Sequence, residues 1–461
     1  MGFNQRANGN ARSAGRVTGR FPLMRWFLLL AGLALGLSCP SAGAGEGVTV
    51  TPLSLPPLPL GLITFPSGKA LNVAVSPGAG AFRRAGDPEG RIWTVTDRGP
   101  TIDCSDQREV LGPEDRAICP AGRRGKIHLL PGFAPSIYAI DVGPDRLARY
   151  VDMIPLKGAS GRLLTGLANP FVHASAEEVF APDGQPLAAD ASAIEPGGLV
   201  RLRDGSFWVA ENFGPSLLEV AADGTVRRRL VPTDVAEDLR GADYPVVAAL
   251  PGILARRARG RGFEGLAVTP DEKYLIVAMQ NALANPDLDT FRSSAAVRLI
   301  KIERATGVVV AQYLYGLDPT GDFAGDPAQG QRASQASDVR LIEIACADDN
   351  RLLVLERYRR QVRLYRIDLS AAQALSDVFA VSAAQPSLEA TPRAFWQTAG
   401  VIPVAKTLLA DSARLKAMAG KINGMAVMSD RELVLVGNND FGSDGARAQM
   451  FRLTFPASIL N

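Results

Sequence analysis

Five acidic residues stand at the polar ends of short apolar runs: Asp97, Glu211, Glu264, Glu356 and Asp440. Asp97 follows Trp93-Thr-Val-Thr96, Glu211 follows Phe207-Trp-Val-Ala210, and Glu356 follows Leu352-Leu-Val-Leu355. Carboxylates brought to one place repel one another unless positive charge sits among them. Converging carboxylate and amide oxygens are what a hard cation such as Ca²⁺ needs, so these five are the candidate metal ligands. Glu211, Glu264 and Glu356 are also the candidate catalytic carboxylates. Arg98 and Arg357, each directly after one of the acids, are candidates for binding an anionic substrate group. The competing reading is structural: strand-end acids paired with those arginines, sealing a channel.

Other chemistries lack their residues. His128 and His173 are the only histidines, and His128 sits in an apolar run, Lys126-Ile-His-Leu-Leu130, that reads as a strand. No Gly-x-Ser-x-Gly elbow occurs, so a carboxylesterase would need a serine nucleophile that nothing singles out. His-Glu-x-x-His, Cys-x-x-Cys and phosphate-loop patterns are absent, which disfavours zinc and nucleotide chemistry. The run Arg256-Arg257-Ala-Arg259-Gly-Arg261 reads first as a solvated helix end and loop. An anion patch is the alternative, because the run opens directly onto Gly262-Phe-Glu264.

The elements that must position these residues are strands. Phe263-Glu-Gly-Leu-Ala-Val268 leads through Asp271 to Tyr274-Leu-Ile-Val-Ala278, and Ile422-Asn-Gly-Met-Ala-Val427 leads through Asp430 to Leu433-Val-Leu-Val436. That is one antiparallel strand pair used twice, the mark of a repeat architecture. Further strands are expected at 91–96, 198–202, 206–210, 297–302 and 352–355, many bounded by Asp-Gly or Asp-Asn turns. With 46 Gly and 32 Pro, turns outweigh long helices. The best helix candidates are 248–259 and 406–418. The fold class expected is all-β, a β-propeller of repeated antiparallel blades numbering five to seven, because equivalent strand ends in a propeller face one axis. Insertions near 101–130, 158–195 and 284–296 blur the blade boundaries.

The formal net charge of +3 arises in the first 44 residues, which hold Arg6, Arg12, Arg16, Arg20 and Arg25 and no acid. The remainder is near neutral, which gives no electrostatic case for nucleic-acid binding. The apolar run Trp26–Leu37, preceded by Arg25 and followed by Ala42-Gly-Ala44, is expected to be a cleaved signal peptide at 1–44 and is short for a membrane span. Lipidation at Cys39 would require a bulky aliphatic residue where Gly36 stands. A Pro-rich lead, 45–67, is expected before a single domain, 68–461. The destination is the periplasm or the exterior, with no membrane span after signal removal. There, Cys104 and Cys119 are expected to form a disulfide closing a polar loop, and Cys346 to be a buried strand residue.

On these residues the chain resembles a known family. Thr96-Asp-Arg-Gly99, Phe207-Trp-Val-Ala-Glu211, Arg261-Gly-Phe-Glu-Gly-Leu266 with Thr269-Pro-Asp271, Leu353-Val-Leu-Glu-Arg357 and Asn438-Asn-Asp-Phe-Gly442 look like the signature of the phytase-like, "esterase-like activity of phytase" family. The resemblance runs from about residue 68 to 455. It implies an exported bacterial β-propeller that hydrolyses phosphate or other esters, with Ca²⁺ as cofactor by analogy with propeller phytases. The expected activity is hydrolysis of phosphate esters, on a small anionic or phosphate ester substrate, by a monomer. The alternatives are a periplasmic propeller that binds a ligand or protein without catalysis, and a carboxylesterase. The family commonly carries Glu before the glycine that opens a blade, where this chain has Gly197 and Asn423, and Asp where this chain has Asn438. Fewer carboxylates lower the Ca²⁺ affinity expected of such a site.

Overall fold

The computed structural model describes residues 45–460, apart from 66–67, 113–117, 121–124, 172–176, 324–333, 416–417, 419 and 444. The expected signal peptide, Cys39 and His173 lie outside these. The protein is all-β, and five sheets of four or five strands follow one another along the chain. Each begins with a strand pair of the kind the repeats suggested. The first strands of the five sheets are Gly80–Phe82, Pro196–Arg201, Phe263–Val268, Val339–Cys346 and Ile422–Ser429. Each touches the next in chain order, and the last touches the first.

Glycine makes that close approach of backbones possible. A Cβ on Gly80 would lie 2.7 Å from the Cα of Gly198, one on Gly198 would lie 2.5 Å from the Glu264 carbonyl oxygen, and one on Gly424 would lie 2.9 Å from the Cβ of Ala81. No side chain fits at such distances. In the fourth sheet the equivalent register position holds Glu343 instead, opposite Leu355 as Gly265 is opposite Ala278. Its buried carboxyl accepts the backbone N–H of Ala81 at 3.2 Å and of Ile344 at 3.1 Å, tying the fourth sheet to the first. Burial pushes that carboxyl well above the ordinary range.

Four of the five first strands carry a β-bulge one residue before this position. Gly197, Glu264, Ile342 and Asn423 are the extra residues, each unpaired with the second strand. A bulge bends its strand and re-aims a side chain, and bulges concentrate beside functional sites. Two of the three residues that set this chain apart from the family pattern, Gly197 and Asn423, therefore occupy bulges.

Several expectations change. Residues 45–67 are more than a lead: Thr49–Leu53 pairs antiparallel with Met450–Thr454 and completes the fifth sheet, and Pro59–Thr64 pairs with Ala70–Ala74. The expected helix at 248–259 is the end of strand Val246–Leu250 followed by a 3₁₀ turn, Gly252–Arg256, with Pro251 between them. Pro cannot continue a ladder or the interior of a helix. The expected helix at 406–418 is strand Lys406–Asp411 and a 3₁₀ turn, Ser412–Arg414, capped by the Asp411 side chain. Among the described residues no helix is long and apolar enough to cross a membrane.

The insertions serve the site. Thr101–Asp103, Gly125–His128 and Glu178–Phe180 form a separate three-stranded sheet, and the Cys104–Cys119 disulfide, with Cα atoms 5.6 Å apart, staples it. His128 is buried in that sheet, and burial with nearby Arg98 and Lys126 pushes its pKa well down, so it is a neutral strand residue. Cys346 ends a first strand as a free, partly buried thiol.

Candidate functional site

The first and second strands of the sheets open at one end onto a cavity of about 980 Å³, walled on one side by the three-stranded insertion. Three register positions supply its floor. The residue two places before the bulge gives Glu195, Arg340 and Lys421; the bulge gives Glu264 and Asn423; the end of the second strand gives Asp97, Asn212, Gln280, Arg357 and Asn438.

Glu264 lies at the centre of this floor. Its Oε2 accepts the Asn212 side-chain amide, its Oε1 accepts Asn423 Nδ2 at 3.2 Å, and Gln280 adds a third amide. The carbonyl oxygens of two of those amides face arginines: Gln280 Oε1 accepts Arg261 Nη1 at 2.7 Å, and Asn423 Oδ1 accepts Arg357 Nη1. Neutral amides thus stand between the carboxylate and the guanidiniums. A direct ion pair would hold the carboxyl firmly ionised. Here burial is the largest influence and raises Glu264 to about 7, with Arg357 opposing. A carboxyl that titrates near neutrality can take or give a proton under working conditions.

Asp97 lines the same cavity. Burial raises its carboxyl, against the Arg98 backbone N–H and nearby Lys421. Asp440 accepts Lys421 Nζ at 2.5 Å. Asp440 and Phe441 both hold positive φ, 47° and 57°, a conformation that non-glycine residues adopt at a cost and that clusters at functional sites. Phe441 is pinned there by an edge-on contact with Phe133 at 5.1 Å.

The other two expected ligands are elsewhere. Glu211 is fully buried, one residue before the cavity-facing Asn212. Its carboxylate accepts the N–H of Gly214 at 2.8 Å, of Glu195 and Phe213, the Ser216 hydroxyl and Arg229 Nη2 at 3.0 Å. Glu356 is likewise one residue before Arg357, and accepts Tyr315 Oη at 2.7 Å, the Asp318 N–H at 3.0 Å and Lys406 Nζ. Neither lines the cavity. Of the five acids, the structure brings together Asp97, Glu264 and Asp440. Of the two arginines, Arg98 faces the cavity but is committed to Glu177 at 2.7 Å and Glu195 at 3.3 Å, whereas Arg357 has the side chain of Asn423 and the carbonyl of Ile422.

The Ca²⁺ expectation meets the donor set at this point. Asp97 and Asp440 lie beside Lys421 and Arg98, and Glu264 is held by three amides. Among the described residues no group of three or more His, Cys, Asp or Glu side chains is gathered as a metal cage. The residues present do not fit the ion.

Sequence reading missed Arg340, Glu195, Lys421, Asn212 and Gln280 as lining residues. The arginine run, read first as a solvated helix end, instead places Arg259 and Arg261 on the cavity wall and buries Arg257. The signal for Asn212 and Gln280 was available: each follows the strand-end residue by one place, as Arg357 follows Glu356.

An all-β molecule with a charged cavity at the convergent ends of repeated strand pairs is the class of protein these features define. The chain belongs to the family described as "Phytase-like: Esterase-like activity of phytase", whose model matches residues 81–441. It is 24% identical over 247 residues to an uncharacterized secreted protein of Arthroderma benhamiae, a stretch covering 47% of this chain and 45% of that protein. The match therefore spans less than half the length of that relative. Solved structures that superpose on it include the PQQ-bound aldose sugar dehydrogenase of Streptomyces coelicolor, at 10% identity and TM-score 0.29 over 89% of this chain and 99% of that one. Virginiamycin B lyase of Staphylococcus aureus aligns at 10% identity and TM-score 0.31, over 88% and 99%.

Proposed function

We propose that this protein is an exported five-bladed β-propeller hydrolase acting on phosphate esters, with Glu264 as its general base. The five sheets, with first strands in contact around a ring, support the propeller; the arginine-rich apolar N-terminal segment and the secreted relative support export. The observation that carries the catalytic reading is Glu264 itself: buried on the cavity floor, held by three amides and raised to about 7.

In this reading Glu264 takes the proton of a water as that water's oxygen bonds to phosphorus. The bond from phosphorus to the ester oxygen breaks, and the leaving alkoxide takes a proton from Asp97, the second carboxyl on the floor that burial keeps protonated more readily than usual. Guanidiniums on the wall stabilise the charge on the equatorial oxygens, the task a metal performs elsewhere. No step is routed through Ca²⁺, because the donor set does not form its cage.

The test is turnover of a generic phosphomonoester and of phytate by purified wild-type protein and Glu264→Gln. The expected loss for removing a general base is about 10²- to 10⁴-fold. Folded wild-type protein that turns over neither substrate, or a Glu264→Gln variant with full activity, would sink the proposal.

A further inference from the structure

Three buried arginines elsewhere in this molecule pair with carboxylates. Arg229 meets Glu211 at 3.0 Å, Arg298 meets Glu389 at 2.8 Å, and Arg98 meets Glu177 at 2.7 Å. Arg261, Arg340 and Arg357 break that pattern, and all three line the one cavity. Among the described residues none of them has a carboxylate within salt-bridge distance. The hydrogen-bond partners of Arg261 and Arg357 are neutral: Gln280 and the Gly260 carbonyl for the first, Asn423 and the Ile422 carbonyl for the second.

Their arrangement is costly without a ligand. Arg340 and Arg357 stand directly opposite each other on adjacent antiparallel strands. Like charges in that position repel, and Arg357 is only 3% exposed, so water screens it little. Arg261 joins them from the loop before the third sheet. Burial is the main influence lowering the affinity of each for its proton. Repulsion from Arg340 and Arg357 adds to it at Arg261 and repulsion from Arg340 adds to it at Arg357, while at Arg340 the carboxylates Glu264, Asp338 and Asp440 oppose it. Starting above 12, all three remain cations at neutral pH. Desolvated, mutually repelling charges persist where something of opposite sign visits. Glu264, Asp338, Asp440 and Glu195 answer part of these charges, all from beyond ion-pair distance.

We infer that Arg261, Arg340 and Arg357 form a built oxyanion subsite that receives a tetrahedral dianion, the phosphoryl group of the substrate or free phosphate after hydrolysis. Guanidiniums present forked N–H donors that suit phosphate oxygens. Three of them, from the loop before the third sheet and from two strands of the fourth, surround one group from different directions. The inference rests on the hydrolase reading only for the identity of the reacting group; the subsite itself is read by binding, without turnover.

The experiment is calorimetric titration and thermal melting of the full chain with inorganic phosphate, comparing wild type with Arg340→Gln, Arg357→Gln, Glu264→Gln and, as a control, the exposed Arg149→Gln. Wild type and Arg149→Gln are expected to bind phosphate and to melt higher in its presence, since a ligand of the native state stabilises it. Arg340→Gln is expected to weaken binding about tenfold or more and to lose the phosphate-induced shift. Without phosphate it should melt at or above wild type, because a desolvated charge has gone. A merely structural arginine would give the opposite sign. Glu264→Gln should keep phosphate binding while losing turnover, which separates the subsite from the catalytic proposal. Wild type without phosphate binding, or an Arg340→Gln variant that binds phosphate as wild type does, would overturn the inference whatever the turnover assays give; should Arg357→Gln fold poorly, Arg340→Gln alone decides.

Discussion

Glu211 and Glu264 are both buried carboxylates at strand ends facing the same end of neighbouring sheets, yet the molecule uses them in opposite ways. Glu211 is met by Arg229 and four further donors, so its charge is fully compensated. Glu264 is met by amides alone, with its arginines one group removed. The difference is register. Along a strand, adjacent side chains point to opposite faces, so one step moves a residue from between the sheets to the cavity. Glu211 and Glu356 sit one place short of the cavity-facing Asn212 and Arg357, whereas the bulge turns Glu264 toward it. A carboxylate in the first setting holds the fold; in the second it is free to titrate.

The sharpest way to break this contrast is to neutralise each carboxyl in turn. Glu264→Gln should lose about 10²- to 10⁴-fold in turnover yet fold as well as wild type. Its melting temperature at pH 8 should be higher. A carboxyl raised from 4.5 to about 7 stabilises the native state below about pH 4.5, and that contribution is gone above about 7. Ionised Glu264 therefore costs wild type of order 3 kcal/mol at pH 8, and the gap to the Gln variant should close as pH falls toward 4.5.

Glu211→Gln should show the converse. It strands the Arg229 charge at zero exposure, so unfolding free energy should fall by about 3–5 kcal/mol. Replacing both partners with apolar residues of similar volume should restore much of it. Glu356→Gln should cost less, because Lys406 keeps Asp318 at 2.5 Å and is partly exposed. Chemical denaturation curves read all three. Should Glu211→Gln unfold no more easily than Glu264→Gln, the division into structural and cavity carboxylates is wrong.

The division was half legible from the chain. Apolar runs with Asp-Gly turns marked the strands, because a half-buried pleated surface demands β-branched and aromatic residues and its tight turns demand glycine. The repeat of Phe263–Val268 in Ile422–Val427 marked two of the sheets. Facing was not legible, since a bulge inserts one residue without altering composition and shifts every later side chain by one place. Aligning Asp97 with Glu211 and Glu356 merged two registers as well, because strand pairing sets Asp97 level with Asn212 and Arg357, and the amides one step on went unread. Arg340 carried no signal of its own: a lone arginine opening an apolar strand looks like any solvated edge, and only its pairing across from Arg357 gives it meaning.

A smaller effect tests the titrating half of the contrast. As a base, Glu264 must be ionised, so turnover under subsaturating substrate should rise with pH through about 7 to a plateau that ends where the Asp97 acid loses its proton. At pH 6 about a tenth of the carboxyl is ionised, so the rate should stand near a tenth of its plateau. A profile that falls through this window would assign Glu264 the role of acid and reverse the proposed direction of proton flow.

The smallest expected effect is none at all. If the guanidiniums carry the charge, a chelator should leave turnover within about twofold, and added Ca²⁺ should produce no saturable heat at micromolar concentration. The contrast between the two carboxylates depends on this outcome. A tight Ca²⁺ site that vanished in Glu211→Gln or Glu356→Gln would mean that these acids leave Arg229 and Lys406 to reach the ion, at the cost of unpairing buried cations. A Ca²⁺ site lost only in Asp97→Asn or Asp440→Asn would instead keep the contrast and add an ion to the cavity.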